Sequence, residues 1–299
     1  MDRIVPTQLR FWGLAALVAV SLQAADPYIS EGFVEIPSSI RLGAMSSVQV
    51  DAQGRVYVLH RGEPPLLVFG KDGRLENAFG DEMFRTAHGL RLGPDGNVWA
   101  TDNAGHCVYR FTPQGELLGY WGLVATPGDG PDVFRSPDDL VFATNGDVYI
   151  ADAGNGRIVR RAADGTFKQQ WGSKGKGEGQ FAAAHDIAID SRDRIYVADR
   201  GNNRIQVFSP DGQFIAAWGG FGNPFGVLVV GDELLVSDGD ANTISHLRLT
   251  DGKLVKQWGN ADMLKLPHLM ATGPDGRLYV AEVNGARVQI FRPAGGSKP

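Results

Sequence analysis

One phrase recurs six times along the chain and constrains its fold more than any other feature. The clearest copies are NGDVYIADAGNGRIVRRAADG (145–165), RDRIYVADRGNNRIQVFSPDG (192–212) and DGNVWATDNAGHCVYRFTPQG (95–115). Weaker copies occupy residues 53–73, 231–252 and 275–295. The copies lie about 40–50 residues apart, which is the spacing of β-propeller blades.

Each copy predicts the same set of strands. An Asp-Gly or Asn-Gly pair favours a tight hairpin turn, and alternating β-branched and aromatic residues favour strands on either side of it. Trp-Gly or Phe-Gly closes five of the copies. Because blades bury their faces against one another, the six copies predict a single all-β domain over residues 26–299: a six-bladed β-propeller of four-stranded antiparallel blades. Residues 28–40 precede the first copy, and we expect them to supply a strand to the last blade, which closes the ring.

The first 25 residues have the layout of a secretory signal peptide. Arg3 and Arg10 precede or flank an apolar run over residues 11–20, and Ala24 and Ala25 provide small residues for cleavage. The run is shorter than the roughly 20 residues that a membrane span needs. We therefore expect a secreted or periplasmic protein with no stable membrane span after signal removal, and an uncleaved anchor is the alternative.

Charge and cysteine content restrict the function further. The net charge is −5 and Lys and Arg are not clustered, which argues against nucleic acid as a partner. Cys107 is the only cysteine, so no internal disulfide can form, and we expect a buried free thiol. Nothing in the sequence indicates the oligomeric state.

One repeat position carries three of the six histidines. When the copies are aligned on their turns, the residues at the start of the innermost strands, here called the slot residues, are Ser46, His88, Asp138, His185, Phe225 and His268. Alternate blades lie about 120° apart around a central channel lined by the innermost strands. Three imidazoles from alternate blades would therefore converge and form a metal site. Zinc is the expected ion, although copper or iron would also accept this ligand set. Three separate histidines that cap turns are the alternative.

Three further residues are candidates for catalysis. Arg61 and Arg200 stand after the second strand of blades 1 and 4, where other blades have small, polar or apolar residues. A long cation at this position could bind an anionic ligand such as a carboxylate, or it could simply pack on the surface. Asp138 could act as an acid or base in the channel, or it could satisfy turn amides.

The repeats resemble those of NHL-repeat propellers, most clearly over residues 196–208. The site residues also resemble those of the peptidyl-α-hydroxyglycine α-amidating lyases. That resemblance implies zinc bound by His88, His185 and His268. It also implies a catalytic role for Arg61, in its His-Arg-Gly phrase, and a site contact for Arg200, in its Ala-Asp-Arg phrase.

The chain also departs from that family. The family's catalytic tyrosine would follow Asp152, where this chain has Ala153-Gly154-Asn155. The family's disulfides cannot form. Its structural calcium is held partly by an Asp that follows the third histidine, where this chain has Leu269. Val48 and Leu90 could still offer carbonyls, but calcium without that carboxylate would bind weakly.

The resulting hypothesis is a metal-dependent lyase. It would cleave the C–N bond of an N-(α-hydroxy) amide, in a small-molecule or peptide substrate with a carboxylate, and release a glyoxylate-like product. Asp138 or a metal-bound hydroxide would then be the base. The alternatives are a non-catalytic binding or scaffold propeller and a metal-dependent hydrolase in which Asp138 is the base.

Overall fold

Six sheets of four antiparallel strands follow one another along the chain. They are seen in a computed structural model that describes residues 26–295. The predicted signal peptide, residues 1–25, lies outside the described residues. Within residues 26–295, no helix is long and apolar enough to cross a membrane.

The first three blades are built in chain order from the innermost to the outermost strand. Blade 1 contains β2 (Met45–Val50), β3 (Val56–His60), β4 (Leu66–Phe69) and β5 (Leu75–Phe79). Blade 2 contains β6 (Ala87–Leu92), β7 (Val98–Asp102), β8 (Cys107–Phe111) and β9 (Leu117–Gly122). Blade 3 contains β10 (Pro137–Phe142), β11 (Val148–Asp152), β12 (Arg157–Arg161) and β13 (Phe167–Trp171).

The remaining blades follow a short parallel pair, β14 (Ser173–Lys174) and β15 (Gln180–Phe181), in the connection between blades 3 and 4. Blade 4 contains β16 (Ala184–Ile189), β17 (Ile195–Asp199), β18 (Arg204–Phe208) and β19 (Phe214–Trp218). Blade 5 contains β20 (Pro224–Val230), β21 (Glu233–Asp238), β22 (Thr243–Arg248) and β23 (Leu254–Trp258). Blade 6 contains β24 (Pro267–Thr272), β25 (Leu278–Glu282), β26 (Arg287–Pro293) and β1 (Tyr28–Phe33). Two 3₁₀ turns, Ala153–Asn155 and Arg200–Asn202, follow β11 and β17.

The two ends of the described chain close the ring together. β1 pairs with β26 in antiparallel register from Tyr28↔Pro293 to Phe33↔Gln289. This confirms the predicted closure, with a strand that ends at Phe33. Because the pairing joins distant parts of the sequence, blade 6 forms only when both ends are in place.

The repeated Trp-Gly and Asp-Gly pairs contact each other across neighbouring blades. A Cβ on Gly212 would lie 2.6 Å from the Trp171 side chain of the preceding blade, and the Gly212 φ is +75°. Gly252 has the same relation to Trp218, at 2.3 Å and a φ of +69°. Glycine is therefore required both by the turn and by the aromatic side chain packed on it. The two motifs that define the repeat in the sequence thus hold successive blades together.

An acidic side chain at the end of the second strand fixes the loop before the innermost strand. Its carboxylate accepts backbone N–H groups of that loop in five blades: Asp102 from Arg85 and Thr86, Asp152 from Arg135, Asp199 from Ala182, Asp238 from Gly222 and Asn223, and Glu282 from Lys265. Blade 1 has His60 instead, whose Nδ1 accepts the N–H groups of Gly43 and Gly62. The arginines that recur in the repeat phrase, Arg157, Arg204 and Arg287, pair with three of these carboxylates and thus belong to the scaffold.

Each innermost strand is irregular at the same point. The ladder register shifts between Met45 and Ser47, Ala87 and Leu90, Pro137 and Asp139, Ala184 and Asp186, Pro224 and Gly226, and Pro267 and Met270. All six slot residues fall inside these interruptions. A β-bulge re-aims a side chain that would otherwise alternate with the ladder. The bulges therefore set the direction of the slot side chains.

A candidate metal centre in the central channel

Three histidines from alternate blades meet in the channel. His88, His185 and His268 each offer a ring nitrogen, and these atoms all lie within 4.8 Å of one another. The ring centroids are 4.7–5.1 Å apart, and the residues are 4%, 2% and 1% exposed. These three buried histidines could hold a metal ion. The geometry is the one expected from the repeat position.

The other three slot residues orient these imidazoles through their backbone. Nδ1 of His88 donates to the Asp138 carbonyl at 2.9 Å, and Nδ1 of His185 donates to the Phe225 carbonyl at 2.8 Å. Nδ1 of His268 donates to the Ser46 carbonyl at 2.5 Å. A carbonyl can only accept, so each Nδ1 carries the proton and each Nε2 keeps its lone pair. Metal-binding histidines are typically fixed in this way.

Burial keeps the histidines in the neutral form that a metal requires. Desolvation, followed by the nearby charge of Arg61, lowers the pKa of His88 to about 4. Desolvation also lowers the pKa of His185 and of His268 well below the ordinary value, and the neighbouring imidazoles add to the effect. Little proton release would therefore oppose metal binding near neutral pH.

Asp138 lies beside this cluster. Its Oδ1 is 4.0 Å from Nε2 of His88 and accepts a hydrogen bond from the Asn103 amide. Burial raises the pKa of Asp138 to about 7, against the opposing effects of Asn103, Arg200 and Arg61. A carboxyl group with such a pKa can both accept and return a proton near neutral pH.

Both predicted arginines reach the same cavity, which has a volume of about 380 Å³. Nε of Arg61 donates to Oγ of Ser46 at 3.2 Å. The Arg200 guanidinium carbon lies 4.9 Å from the ring centroid of Phe225. The structure thus brings all six predicted site residues to one cavity, and it supplies two cations where a carboxylate could bind.

Sequence reasoning missed part of this lining. Asn103, the partner of Asp138, occupies the repeat position after the second strand that Arg61 and Arg200 also occupy. Val283 occupies that position in blade 6 and also lines the cavity. The comparison of this repeat position across the blades singled out the two arginines, because Asn103 and Val283 are short or apolar and carry no charge.

The remaining histidines and Cys107 have structural surroundings, and Cys107 is the buried free thiol that the sequence predicted. His106 accepts the N–H of Ser136 through Nδ1, and His246 bonds to Glu233 and accepts from the Trp258 indole. None of them lines the cavity.

The repeats match a known family model. Residues 134–160 and 181–208 match the NHL repeat. The chain is a six-bladed β-propeller with NHL repeats. The two matched segments lie in blades 3 and 4 and stop before their outermost strands.

Curated relatives include amidating enzymes. The chain is 29% identical over 165 residues to the peptidylglycine alpha-amidating monooxygenase of Rattus norvegicus, covering 45% of this chain and 17% of that protein. It is 28% identical over 164 residues to the peptidyl-alpha-hydroxyglycine alpha-amidating lyase 1 of Drosophila melanogaster, covering 45% and 30%. It is 32% identical over 150 residues to the NHL repeat-containing protein 3 of Mus musculus, covering 45% and 43%. Each match thus spans less than half of the relative.

Solved structures share the fold. A streptogramin B lyase superimposes with a TM-score of 0.67 at 16% identity, covering 89% of this chain and 98% of the other. A gluconolactonase-like protein superimposes with a TM-score of 0.69 at 15% identity, covering 90% and 94%. At these identities the comparison establishes the propeller architecture alone.

Proposed function

We propose that this propeller is a metal-dependent lyase that cleaves the C–N bond of an N-(α-hydroxy) amide, with a peptidyl-α-hydroxyglycine as the model substrate. The observation that carries the proposal is one cavity that holds three buried imidazoles, a buried carboxyl group and two guanidinium groups. The similarity to relatives named amidating lyases supports this reaction class.

The residues of the cavity fit a divalent ion, and we propose zinc. Three neutral imidazoles with their Nδ1 protons engaged are a ligand set that zinc prefers, and such sites leave a fourth position open. When bound, the ion would supply Lewis-acid chemistry that polarises an oxygen of the substrate. His88, His185 and His268 would hold it.

The chain's own residues would do the rest. Arg61 and Arg200 bind and orient the substrate carboxylate, because guanidinium groups form strong charge-assisted hydrogen bonds with carboxylates. Asp138 takes the proton of the substrate hydroxyl. The C–O bond of that hydroxyl becomes a carbonyl as the C–N bond on the same carbon breaks. The same carboxyl group returns that proton to the departing amide nitrogen. The products are the amide and an aldehyde acid such as glyoxylate, and all atoms balance without a further reactant.

Asp138 also replaces a missing group. The segment where related lyases carry a tyrosine is the 3₁₀ turn Ala153–Asn155, which has no phenol to offer. Asp138 is the acidic side chain that lines the cavity. It is therefore the acid–base group that we assign to the reaction.

We also propose that the protein works outside the cytoplasm, in the periplasm or as a secreted protein. Residues 1–25 have the features of a secretory signal peptide, and such a peptide directs export of the mature protein. Expression of the full chain followed by N-terminal sequencing of the exported form would test it.

Metal analysis combined with turnover tests the function. Purified wild-type protein should contain about one equivalent of zinc, as expected for one three-histidine site, and should convert a peptidyl-α-hydroxyglycine to the amide and glyoxylate. His185→Ala should lose both metal and turnover, whereas Asp138→Asn should keep the metal and lose turnover. His246→Gln, outside the cavity, is the matched control and should retain the metal.

The outcomes separate the alternatives. Bound metal without turnover of the hydroxyglycine peptide would remove the lyase reaction and leave a metal site. Hydrolysis of a lactone or ester under the same conditions would favour the hydrolase instead. Absence of metal from the wild-type protein would leave a binding or scaffold propeller.

A further inference from the structure

Arg91 is a buried cation in the channel, separate from the two arginines of the cavity. It lies on β6, three residues after His88, and its side chain is 12% exposed. Nε donates to Oδ2 of Asp139 at 3.0 Å, and Nη2 donates to Oδ1 of Asp186 at 2.8 Å. One guanidinium group therefore faces two buried carboxyl groups on two other blades.

The network around Arg91 joins four consecutive innermost strands. Arg91 also donates to the carbonyls of Leu140 on β10 and Ile187 on β16, each at 3.0 Å. Oδ2 of Asp186 accepts the N–H of Val227 on β20 at 2.6 Å. Strands β6, β10, β16 and β20 are thus connected through a single side chain and one of its partners.

Two of the predicted metal ligands are adjacent to this network in the chain. Asp186 follows His185 directly, in the bulge that aims the imidazole into the channel. Arg91 and His88 share strand β6. Loss of the Arg91 contacts would therefore remove a tie between the two strands that carry His88 and His185.

The calcium site of the lyases that this chain resembles lacks its carboxylate here, on β24, outside the four strands that Arg91 joins. Leu269, at the position where a carboxylate would be needed, is 1% exposed and apolar. Within residues 26–295, the three histidines are the one group of His, Cys, Asp or Glu whose ligand atoms are close enough to share an ion. Arg91 already engages Oδ2 of Asp139 and Oδ1 of Asp186, and Val227 engages Oδ2 of Asp186. Only Oδ1 of Asp139 has no hydrogen-bond partner among the described residues, and one oxygen does not make a calcium site.

We propose that Arg91 is a built-in cation that holds β6 and β16 in position for the histidine centre, and that the fold needs no structural calcium. Arg91 is a positioning residue, and the proposal rests on the metal centre proposed above. It makes two claims: metal affinity depends on Arg91, and the fold gains no stability from calcium.

The first claim is tested by metal affinity. Zinc is titrated into the metal-free protein in competition with a chromophoric chelator. Arg91→Met should weaken zinc binding about 10- to 100-fold, the usual loss when a group that supports a metal ligand is removed. Arg91→Lys retains the charge but not the forked geometry, and it should recover part of the affinity.

Arg157→Met is the matched control. Arg157 is also a buried arginine, with a side chain 5% exposed, and it pairs with Asp152 at 2.7 Å, but its partners lie in blade 3 and the loop before it. This variant should lower the melting temperature and leave the zinc affinity unchanged. Equal zinc affinity in wild type and Arg91→Met would overturn the claim.

The second claim needs no variant. Millimolar calcium chloride should leave the melting temperature of the wild-type protein unchanged, and elemental analysis should find no bound calcium. Calcium-dependent stabilisation would overturn it. A wild-type protein that binds no zinc would instead refute the proposed function, and the calcium measurement would still decide the second claim.

Discussion

Replacement of Asp199 by Ala removes the carboxylate that holds the loop in front of His185. Oδ1 accepts the N–H of Ala182 at 2.9 Å, and Oδ2 accepts from Asn202 at 2.7 Å and from Arg204 at 2.8 Å. Asp199 is fully buried, whereas the Arg204 side chain is 16% exposed. The variant therefore loses one buried ion pair and the fixed position of the loop.

The expected cost follows from these contacts. Breaking a buried ion pair by removing one partner destabilises a protein by about 3–5 kcal/mol, because the remaining charge is uncompensated. The lower end applies here, since Arg204 is partly solvated and keeps its hydrogen bonds to the carbonyls of Gly177 and Gln180. We expect a loss of about 3 kcal/mol, and at about 2 °C per kcal/mol a melting temperature about 6 °C lower.

Urea unfolding followed by tryptophan fluorescence measures this loss, with calorimetry for the melting temperature. Asp211→Ala is the control, because its side chain is 81% exposed and its contact with Arg160 is a surface ion pair worth at most about 1 kcal/mol. A free energy of unfolding within about 1 kcal/mol of wild type for Asp199→Ala would refute the view that the repeated carboxylate secures the loop.

Two further predictions concern blade 1 and the cavity wall. Burial lowers the pKa of His60, and its Nδ1 must stay unprotonated because it accepts two backbone N–H groups. The free energy of unfolding should therefore fall as the pH drops below the unfolded-state pKa of about 6.5. His60→Asn should make this fall shallower in urea unfolding of the metal-free protein between pH 7.5 and 5, values chosen about one unit or more on either side of that pKa. The channel histidines, whose pKa values burial also lowers, account for the rest of the fall. An unchanged pH dependence would contradict the assignment. Phe225→Leu removes the ring beneath the Arg200 guanidinium and should weaken binding of a carboxylate substrate about two- to fivefold, the equivalent of about 0.5–1 kcal/mol, while Phe225→Tyr should not. The KM values of the two variants measure this, and equal KM values would show that the ring does not position Arg200.

The fold was predictable because the sequence signals that specify it, the turn residues and the strand patterns, are local and recur in every copy. Turn residues such as the glycine of each Asp-Gly pair lie within a few residues of the strands they join. Six copies in succession leave few architectures other than a propeller. The closing contact of β1 with β26 was also predictable, because an incomplete last blade needs a strand from the other end. The meeting of the three histidines followed from the same periodicity.

The Arg91 network could not be predicted in this way. Arg91 and Asp186 are 95 residues apart and occupy different repeat positions, so aligning the copies gives no reason to pair them. The carbonyl partners of the imidazoles could not be predicted either, because every residue has a carbonyl and the sequence does not show where it points. Both features depend on how neighbouring blades pack against each other, and the sequence of a single repeat copy does not show this packing.

The alternation of the slot residues separates two tasks that many metal sites combine. His88, His185 and His268 contribute side chains, whereas Ser46, Asp138 and Phe225 contribute the carbonyls that orient them. Because the orienting group belongs to the backbone, the side chains of the second set are free to serve the cavity. Asp138 supplies a carboxyl group, Phe225 packs against Arg200, and Ser46 accepts from Arg61. The chemistry of the cavity could therefore change at these three positions while the three imidazoles keep their geometry. One ring of six equivalent positions could thus both hold an ion and select the ligand that reaches it.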